Sequence, residues 1–564
     1  MILLLDTAIP RTLRQLVERF TAQPATRIEA WLFEDVAERR AAEEALAKAG
    51  VAAVLRSAYK PLVHFFLEEF EKALKEAPGE IAVHTPAGKA QRFRLEAYPL
   101  AGLIGDRASL RFIEGRALEA DYLVEAAGRR WQVFAPNDAA GSPCGWLRVW
   151  HGDTLAEDAP LRTEFEIACD TALETIRRHE WPATLPLFDT LEIEVATSGI
   201  ERRLPFGEET ISTFEALQED LYYGALEFFK ARAGLPDADR TLQLGQIVPR
   251  ISASSGETQL SVRLARHRRV DPPVDGTLAL DTAVRSLAPV EVEHAVAALP
   301  GEPFSVTSFQ GRKVAGVHVR GALPGLVVTA GQHANESSGV VGALRAARHL
   351  NDHRDAHYAL VPLENPDGAA LHHYLQATHP THMAHSARYT ALGDDLEARM
   401  QPPFGEKAAR LEAIARTGAR LHLSLHGYPA HEWTRPRAGY VPRGSELWTV
   451  PKGFFLILRR HPGYDGMRFL VALTEELQSG STELAEFNAR QQKMWHAHVG
   501  DLPYECINGI PCLVMTDERS TVPFTLVTEF PDETVRGAAF QLAHTTQMRT
   551  VLAAARLYWK GLLA

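Results

Sequence analysis

The second half of the sequence alternates short apolar runs with a longer helical segment, and this alternation limits the possible folds more than any other feature. The apolar runs are typical of buried strands: VAGVHV (314–319), LVVTA (326–330), YALVP (358–362) and LHLSLHG (421–427). SGVVGALRAARHL, which follows the second run, has helical spacing. Strands that alternate with helices form parallel or mixed sheets covered on both faces. We therefore expect an α/β fold with a mixed, mostly parallel sheet flanked by helices over residues 285–564.

The first half predicts an α+β, strand-rich region. Residues 37–49 form a helix rich in Ala, Glu and Arg that ends at Gly50, and residues 61–76 place apolar side chains at helical spacing. Ser212, followed three residues later by Glu215, is typical of the start of a helix, which runs to Ala233. Alternating runs predict strands at RFRLEAY (92–98), RWQVFAP (130–136), LEIEVA (191–196), TLQLGQIVPRIS (241–252) and TQLSVRL (258–264).

A charged connector with Pro272, Pro273 and Gly276, near residues 267–285, predicts a domain boundary. We therefore expect an α+β domain of unassigned role over 1–150, a strand-rich domain over 151–280, and a third domain over 285–564. No internal repeat is present.

Composition excludes several functional classes. The formal net charge of −11 argues against an electrostatic nucleic-acid binder. Four cysteines in 564 residues favour a reducing compartment over a disulfide scaffold. The apolar run Ile2–Leu5 is too short for a signal peptide, and no run is long enough to span a bilayer. The sequence thus predicts a cytoplasmic protein without a membrane partner.

Two predicted strands end in residues that bind metals. His333 and Glu336 follow the run 326–330 at the junction with a helix, and His426 lies at the end of LHLSLHG. Functional groups of open α/β sheets collect beyond the carboxyl ends of strands. Two histidines and one carboxylate are also the ligand composition of hydrolytic zinc sites that keep an open coordination position. An isolated HxxE is common, however, and a lone strand histidine usually belongs to the core.

The order of five motifs makes the metal interpretation stronger. GQHANE, PLENPDG, RYTALGDDLE, LSLHGY and LVTEFP follow one another over residues 290–562. This succession resembles the zinc carboxypeptidases of the M14 family, and the segment from Arg388 to Leu396 is most similar to their cytosolic branch. The resemblance implies a zinc-carboxypeptidase-like fold for 285–564. It also implies a β-sandwich-like domain before it, which would correspond to residues 151–280.

The resemblance further implies a role for particular residues. His333, Glu336 and His426 would hold one zinc ion, Glu529 would be the general base, and Arg388 would polarise the scissile carbonyl. Residues 365–368 would form a structural turn beside the site. Independently of the resemblance, Thr528 and Phe530 flank Glu529 on the opposite strand face, which leaves Glu529 to point into the site.

One departure concerns substrate recognition. Glu397 and Ala398 stand where the family has the Asn-Arg pair that grips a terminal carboxylate, a group that glutamate repels. We expect Glu397 to receive an amine, amide or other donor, unless a nearby arginine substitutes for the pair. The remaining candidate substrate contacts are Arg399, Arg435, Arg437 and a lid residue, Tyr504.

The segment 372–385 is rich in histidine, with His382 and His385 three positions apart. Such a run is more often a polar loop than a second metal site. The sequence therefore predicts a single zinc ion.

These observations predict a zinc-dependent metallocarboxypeptidase that acts on a peptide or an N-acyl or amide substrate. Two alternatives remain open. One is an amidohydrolase or deacylase similar to aspartoacylase and succinylglutamate desuccinylase, and the other is a non-catalytic binding protein on the same fold. The oligomeric state and the role of the N-terminal half do not follow from the sequence.

Overall fold

A computed structural model of the chain describes residues 1–70, 79–267, 279–440 and 448–563. Its strands are β1 Ile2–Ile9, β2 Arg27–Leu32, β3 Ala52–Ser57, β4 Gly79–Thr85, β5 Ala108–Glu114, β6 Asp121–Ala126, β7 Arg129–Phe134, β8 Trp146–His151, β9 Thr154–Pro160, β10 Thr190–Thr197, β11 Glu201–Arg203, β12 Thr210–Ser212, β13 Gln246–Ala253, β14 Thr258–Ala265, β15 Glu302–Thr307, β16 Lys313–Val319, β17 Leu326–Ala330, β18 Tyr358–Val361, β19 Leu421–Tyr428, β20 Phe455–Arg460, β21 Glu505–Ile507, β22 Ile510–Thr516 and β23 Phe524–Pro531. Its helices are α1 Thr12–Ala22, α2 Val36–Lys48, α3 Pro61–Glu68, α4 Ala90–Glu96, α5 Leu100–Ile104, α6 Glu164–Arg178, α7 Thr213–Arg232, α8 Pro289–Ala297, α9 Ser338–Leu350, α10 Pro366–Gln376, α11 Ala408–Thr417, α12 Met467–Ser479, α13 Thr482–His498 and α14 Ala538–Trp559.

The second half is built on one 9-stranded sheet with the strand order β15-β16-β18-β17-β19-β23-β20-β22-β21. Its central strands β18, β17, β19 and β23 are parallel, as expected. The sheet as a whole is mixed rather than mostly parallel, because β20 runs antiparallel to β23 and both edges end in antiparallel pairs. The edge pairs β15–β16 and β21–β22 are joined by short turns, and such turns can only connect antiparallel strands.

Helices cover both faces of this sheet, and the period-2 pattern of the strands decides which residues each face receives. Leu421, Leu423 and Leu425 of β19 pack into the core formed with α9 and α14. The alternate residues of the same strand, His422, Ser424 and His426, therefore lie on the opposite face. α11 covers only part of that face, through Ala409 and Ala413, and the uncovered part forms the cleft described below.

The N-terminal half contains three 4-stranded sheets: β1-β14-β10-β13, β3-β2-β8-β9 and β5-β4-β6-β7. Strand pairing crosses the expected boundary at residue 150, since β8 spans that position and pairs with β2, while β1 pairs with β14. The sheet that contains β10, β13 and β14 packs against α6 and α7, so the described part of 151–280 combines helices with a sheet. Most of the predicted connector, residues 268–278, lies outside the described residues.

Several local predictions can be compared with the structure. The helices predicted at 37–49 and 212–233 are confirmed as α2 and α7, with Ser212 Oγ accepting the Glu215 backbone N–H at 3.0 Å. The helix predicted over 61–76 is described as α3, Pro61–Glu68, and residues 71–78 lie outside the description. The strand prediction for 92–98 is wrong, because this segment lies in and just after α4. Phe93 and Ala97 are both fully buried, and their spacing of four residues suits a helix as well as a short strand.

No helix in the described ranges combines the length and the apolar composition needed to cross a bilayer. None of the four cysteines forms a disulfide.

Candidate functional site

Three predicted ligand residues meet at the carboxyl end of the central strands. His333 and Glu336 lie between β17 and α9, after Gly331, whose φ of +61° turns the chain out of the sheet. His333 Nδ1 lies 2.7 Å from Glu336 Oε1, and His426 Nδ1 lies 2.8 Å from Glu336 Oε2. The two Nδ1 atoms are 3.3 Å apart. Among the described residues, these three side chains form a group that could hold a metal ion.

Neighbouring polar groups orient both imidazole rings. His426 Nε2 lies 3.1 Å from Ser424 Oγ, and His333 Nε2 lies 3.3 Å from Asp395 Oδ2. These contacts direct both Nδ1 atoms towards Glu336, the arrangement that outer partners give to metal-binding histidines. Burial alone would raise the pKa of Glu336, but the charges of His333, Arg388 and His426 hold it well below its usual range.

Glu529 faces the same cleft from the adjacent strand. β23 pairs with β19 in a register that sets Glu529 directly beside His426. Its side chain is buried, and burial together with the Glu336 carboxylate raises the pKa of Glu529 well above its usual range. Burial in a cleft together with a raised pKa is typical of carboxyl groups that act as general acids and bases.

Arg388 completes the group of predicted residues. Its Nη1 lies 2.5 Å from Glu336 Oε1, and the segment that carries it is anchored by Asn365. Asn365 Nδ2 donates to the backbone carbonyl of Tyr389 at 3.0 Å, while its Oδ1 accepts the Gly368 N–H at 2.9 Å. The NPDG segment therefore caps helix α10 and at the same time holds the arginine segment beside the ligands.

Sequence reasoning missed three buried groups in this region. Asp395 contacts His333, as described above, and Glu533 lies 3.7 Å from Arg388 Nη1. His385, which the sequence assigned to a polar loop, lies 2.5 Å from Glu219 Oε2 and 3.6 Å from Glu533 Oε2. Burial, offset in part by His385 and Arg388, raises the pKa of Glu533 to about 7. One signal was present: Glu533 lies four residues after Glu529, just past the end of β23.

The N-terminal half forms one wall of the cleft, whose volume is about 610 Å³. Helix α7 and the segment after it contribute several side chains to this wall: Tyr223, Leu226, Glu227, Lys230, Asp237 and Arg240. Arg240 also holds the site directly, because its backbone carbonyl accepts the Asp395 N–H at 2.9 Å. The cleft is therefore complete only when both halves of the chain are present.

The residues predicted to contact the substrate differ in whether they line the cleft and in which side chains they already bind. Glu397 lines the cleft, but Arg410 Nη1 and Arg459 Nη1 bind its two oxygens at 2.8 and 2.9 Å. These arginines hold the pKa of Glu397 far below its usual range, against the effect of burial. Both oxygens of Glu397 thus accept from guanidinium groups, so a substrate donor would compete with Arg410 and Arg459 for them.

The other candidates are similarly engaged. Arg399 binds Asp394 through two bonds of 2.7 Å and Glu406 at 2.6 Å, and it does not line the cleft. Arg435 does line the cleft but is paired with Glu227 at 2.5 Å.

Arg437 lies 3.3 Å from Asp170 and is likewise absent from the lining of the cleft. Tyr504 stacks on Phe455 with a ring separation of 5.5 Å and is not among the residues that line the cleft, although Glu529 is near enough to contribute, after burial, to its raised pKa. Thus Arg399, Arg437 and Tyr504 do not line the cleft in the described geometry.

Comparison with known proteins gives likenesses in shape only. No sequence model of a known protein family matches the chain, and no curated protein matches it. Similar solved structures include carboxypeptidase A from Helicoverpa armigera (12% identity, 50% of this chain, 75% of that chain, TM-score 0.31). They also include a metallo-carboxypeptidase from Burkholderia cenocepacia (14% identity, 54% of this chain, 76% of that chain, TM-score 0.29).

A third similar structure is a metallo-carboxypeptidase from Pseudomonas aeruginosa in complex with (2-guanidinoethylmercapto)succinic acid (16% identity, 54% of this chain, 73% of that chain, TM-score 0.28). At such identities and TM-scores the likenesses assign no activity to the chain, and the assignment depends on side-chain geometry.

Proposed function

We propose that this chain is a zinc-dependent hydrolase of peptide or amide bonds, most similar in its catalytic parts to the M14 metallocarboxypeptidases. One observation carries the proposal. His333, His426, Arg388 and Glu529 line one cleft, and the buried Glu336 carboxylate contacts both histidines and Arg388 just behind its wall, although the chain positions involved run from 333 to 529.

The donor set fits zinc. Two imidazole nitrogens and a carboxylate oxygen lie within 4.8 Å of one another, and nitrogen and carboxylate ligands are typical of zinc at about 2.0–2.2 Å. Three protein ligands leave a position for water, as in hydrolytic sites. When bound there, zinc would polarise a carbonyl group and lower the pKa of a water molecule.

The chain's own residues supply the remaining functions. Glu529 would accept the proton of the attacking water and pass it to the leaving nitrogen. Arg388 would stabilise the negative charge that develops on the carbonyl oxygen, because Glu336 holds its guanidinium next to the ligands and Asn365 anchors the backbone of its segment. The N-terminal half, through α7, limits the entry of substrates.

Basic side chains at one end of the cleft favour a substrate whose C-terminal residue carries an acidic side chain. Arg459 lies on β20 opposite Thr525, four residues along the sheet from the row that contains Glu529. A strand rises about 3.3 Å per residue, so the Arg459 row lies about 13 Å along the sheet from the Glu529 row. Lys407, Arg410 and Arg519 line the same part of the cleft. Arg459 Nε makes no hydrogen bond among the described residues but lies 3.7 Å from Asp517 Oδ2, so a substrate carboxylate that accepts from it would displace Asp517.

A turnover assay of the zinc-loaded protein tests this assignment. The substrates are peptides ending in Glu, Ala or Lys, each as the free acid and as the C-terminal amide, together with N-acyl amino acids. We expect release of a C-terminal residue, with the Glu-terminated free acid cleaved fastest. Arg459→Gln should reduce this preference at least tenfold.

The matched control for this variant is Arg460→Gln, which changes the next residue of the same strand on the opposite face. Equal cleavage of acids and amides would refute the carboxypeptidase assignment. Turnover restricted to N-acyl amino acids would support the deacylase alternative. Absence of hydrolysis together with stoichiometric metal would indicate a binding protein.

A further inference from the structure

Glu201, His379 and His382 form a second group of metal-binding side chains outside the catalytic cleft. One donor atom from each of these three residues lies within 4.8 Å of the others, as in the catalytic group. None of the three lines the cleft. They come from distant parts of the chain, since Glu201 opens the β11–β12 hairpin of the N-terminal half and the histidines follow α10 in the second half.

Hydrogen bonding leaves the histidines prepared to bind a cation. His379 Nε2 lies 2.9 Å from the backbone carbonyl oxygen of Ile251, which can only accept, so Nε2 carries the proton and Nδ1 carries the lone pair. A carbonyl partner on the far nitrogen is characteristic of metal-binding histidines. His382 is buried, and its Nδ1 has no partner among the described residues.

A hydrogen bond also orients the carboxylate of Glu201. Ser212 Oγ donates to Glu201 Oε2 at 2.6 Å, and this oxygen lies 2.8 Å from His382 Nε2. The latter contact matches the distances of 2.7 and 2.8 Å between Glu336 and the histidines of the catalytic group. The rings of His379 and His382 are stacked, parallel and with centroids 4.2 Å apart, so at least one ring must turn before both can hold one ion in their ring planes.

We propose that Glu201, His379 and His382 bind a second divalent transition-metal ion, zinc foremost, which fastens the N-terminal half to the segment that carries Arg388. Ligands bound to one zinc ion at about 2.0–2.2 Å are about 3.4 Å apart, so the 2.8 Å contact between Glu201 and His382 would lengthen by about 0.6 Å while His379 moves to the same ion. Two imidazoles and one carboxylate suit zinc better than Mg²⁺ or Ca²⁺, which prefer oxygen ligands.

The position of the group points to a structural role. Beyond His382, the same segment is held on α7, where Gln218 Nε2 donates to the Met383 carbonyl at 2.9 Å and Glu219 binds His385. Without the cation, residues 377–382 are held to the N-terminal half by His–Glu and His–carbonyl bonds. The cation would replace these hydrogen bonds with coordinate bonds, and His382 lies three residues before His385, which begins the turn that leads to Arg388.

Metal counting tests the proposal, which does not depend on the hydrolase assignment. The full-length protein is stripped with chelator, reloaded with zinc chloride, and analysed for zinc per chain by mass spectrometry. We expect two ions in the wild type, one in Glu201→Gln and one in His379→Asn. We also expect one ion in His333→Asn, bound at the second group, and two in the surface control His349→Asn.

Thermal unfolding gives a readout that does not depend on activity. Zinc should still raise the Tm of His333→Asn, and this rise should disappear when Glu201→Gln is added, because an ion that binds only the folded state stabilises it. One ion in the wild type together with none in His333→Asn would overturn the proposal, as would two ions in Glu201→Gln. One ion in the wild type that is lost in Glu201→Gln but kept in His333→Asn would instead refute the catalytic zinc site alone.

Discussion

Replacing Glu529 by Gln removes the proposed proton acceptor while changing the shape of the side chain very little. Glu529 lies beside His426 in the sheet and is 7% exposed, so the amide should occupy the same space. A glutamine has no basic oxygen at neutral pH and cannot take a proton from water. The catalytic step therefore loses its base, whereas the ligand group keeps all of its atoms.

The expected loss of turnover in Glu529→Gln follows from the role of Glu529 as a general base. General base catalysis contributes about 10²- to 10⁴-fold, which corresponds to about 3–5 kcal/mol in the activation free energy. The stability of the fold should not decrease in this variant. Because burial and Glu336 raise the pKa of Glu529, its ionised form is disfavoured in the folded state. The neutral amide should leave the Tm unchanged or raise it slightly.

The assay compares kcat on the best substrate of the panel, zinc per chain and Tm for the wild type and Glu529→Gln. The matched control is Glu505→Gln, an exposed glutamate on β21 of the same sheet, which should leave all three quantities unchanged. We expect Glu529→Gln to lose about 10³-fold in kcat while keeping its zinc and its stability. Turnover within threefold of the wild type would refute the assignment of Glu529 as the base.

Three further variants test other parts of the account. Arg388→Ala should lower kcat/KM by about 10²- to 10³-fold in steady-state kinetics with zinc retained, because it removes the donor to the developing oxyanion; unchanged kinetics would contradict this role. Gly427→Ala should lower the Tm and weaken zinc binding, because the added Cβ would collide with Asp532 Oδ1 and disturb the 3.1 Å bond from Gly427 N–H to Glu336; a variant with wild-type Tm would contradict the described packing. Glu215 raises the pKa of buried His431 to about 9 although burial favours the neutral ring, so this pair stabilises the fold fully below about pH 6.5 and loses its effect as pH rises through 9. His431→Asn should therefore cost up to about 3 kcal/mol at pH 6 and much less at pH 9.5 in denaturant unfolding, and equal costs at both values would contradict the pairing.

The parts of the site that follow from local pattern were predictable from the sequence. His333 and Glu336 follow an apolar run, and His426 and Glu529 lie near the ends of others, so strand periodicity indicates both their faces and their shared edge. The same periodicity predicts the central parallel strands. It does not determine how β20 and the edge strands run, because their direction depends on the path of connections that carry no periodic signal.

Partners distant in the chain were not predictable in the same way. Considered alone, Glu397 would repel a substrate carboxylate, but Arg459, 62 positions later, binds it. The partner of His385 lies 166 positions before it, on α7. The placement of α7 against the cleft likewise depends on the packing of two halves, and no motif within either half indicates that packing.

The central claim is that His333, Glu336 and His426 hold a zinc ion beneath Glu529. A crystal of the zinc-loaded protein, measured on both sides of the zinc absorption edge, tests it most directly. The account predicts an anomalous peak about 2.0–2.2 Å from Nδ1 of His333, Nδ1 of His426 and the Glu336 carboxylate, with the Glu529 side chain turned towards it. A fully loaded crystal with no anomalous peak among these three residues would contradict it.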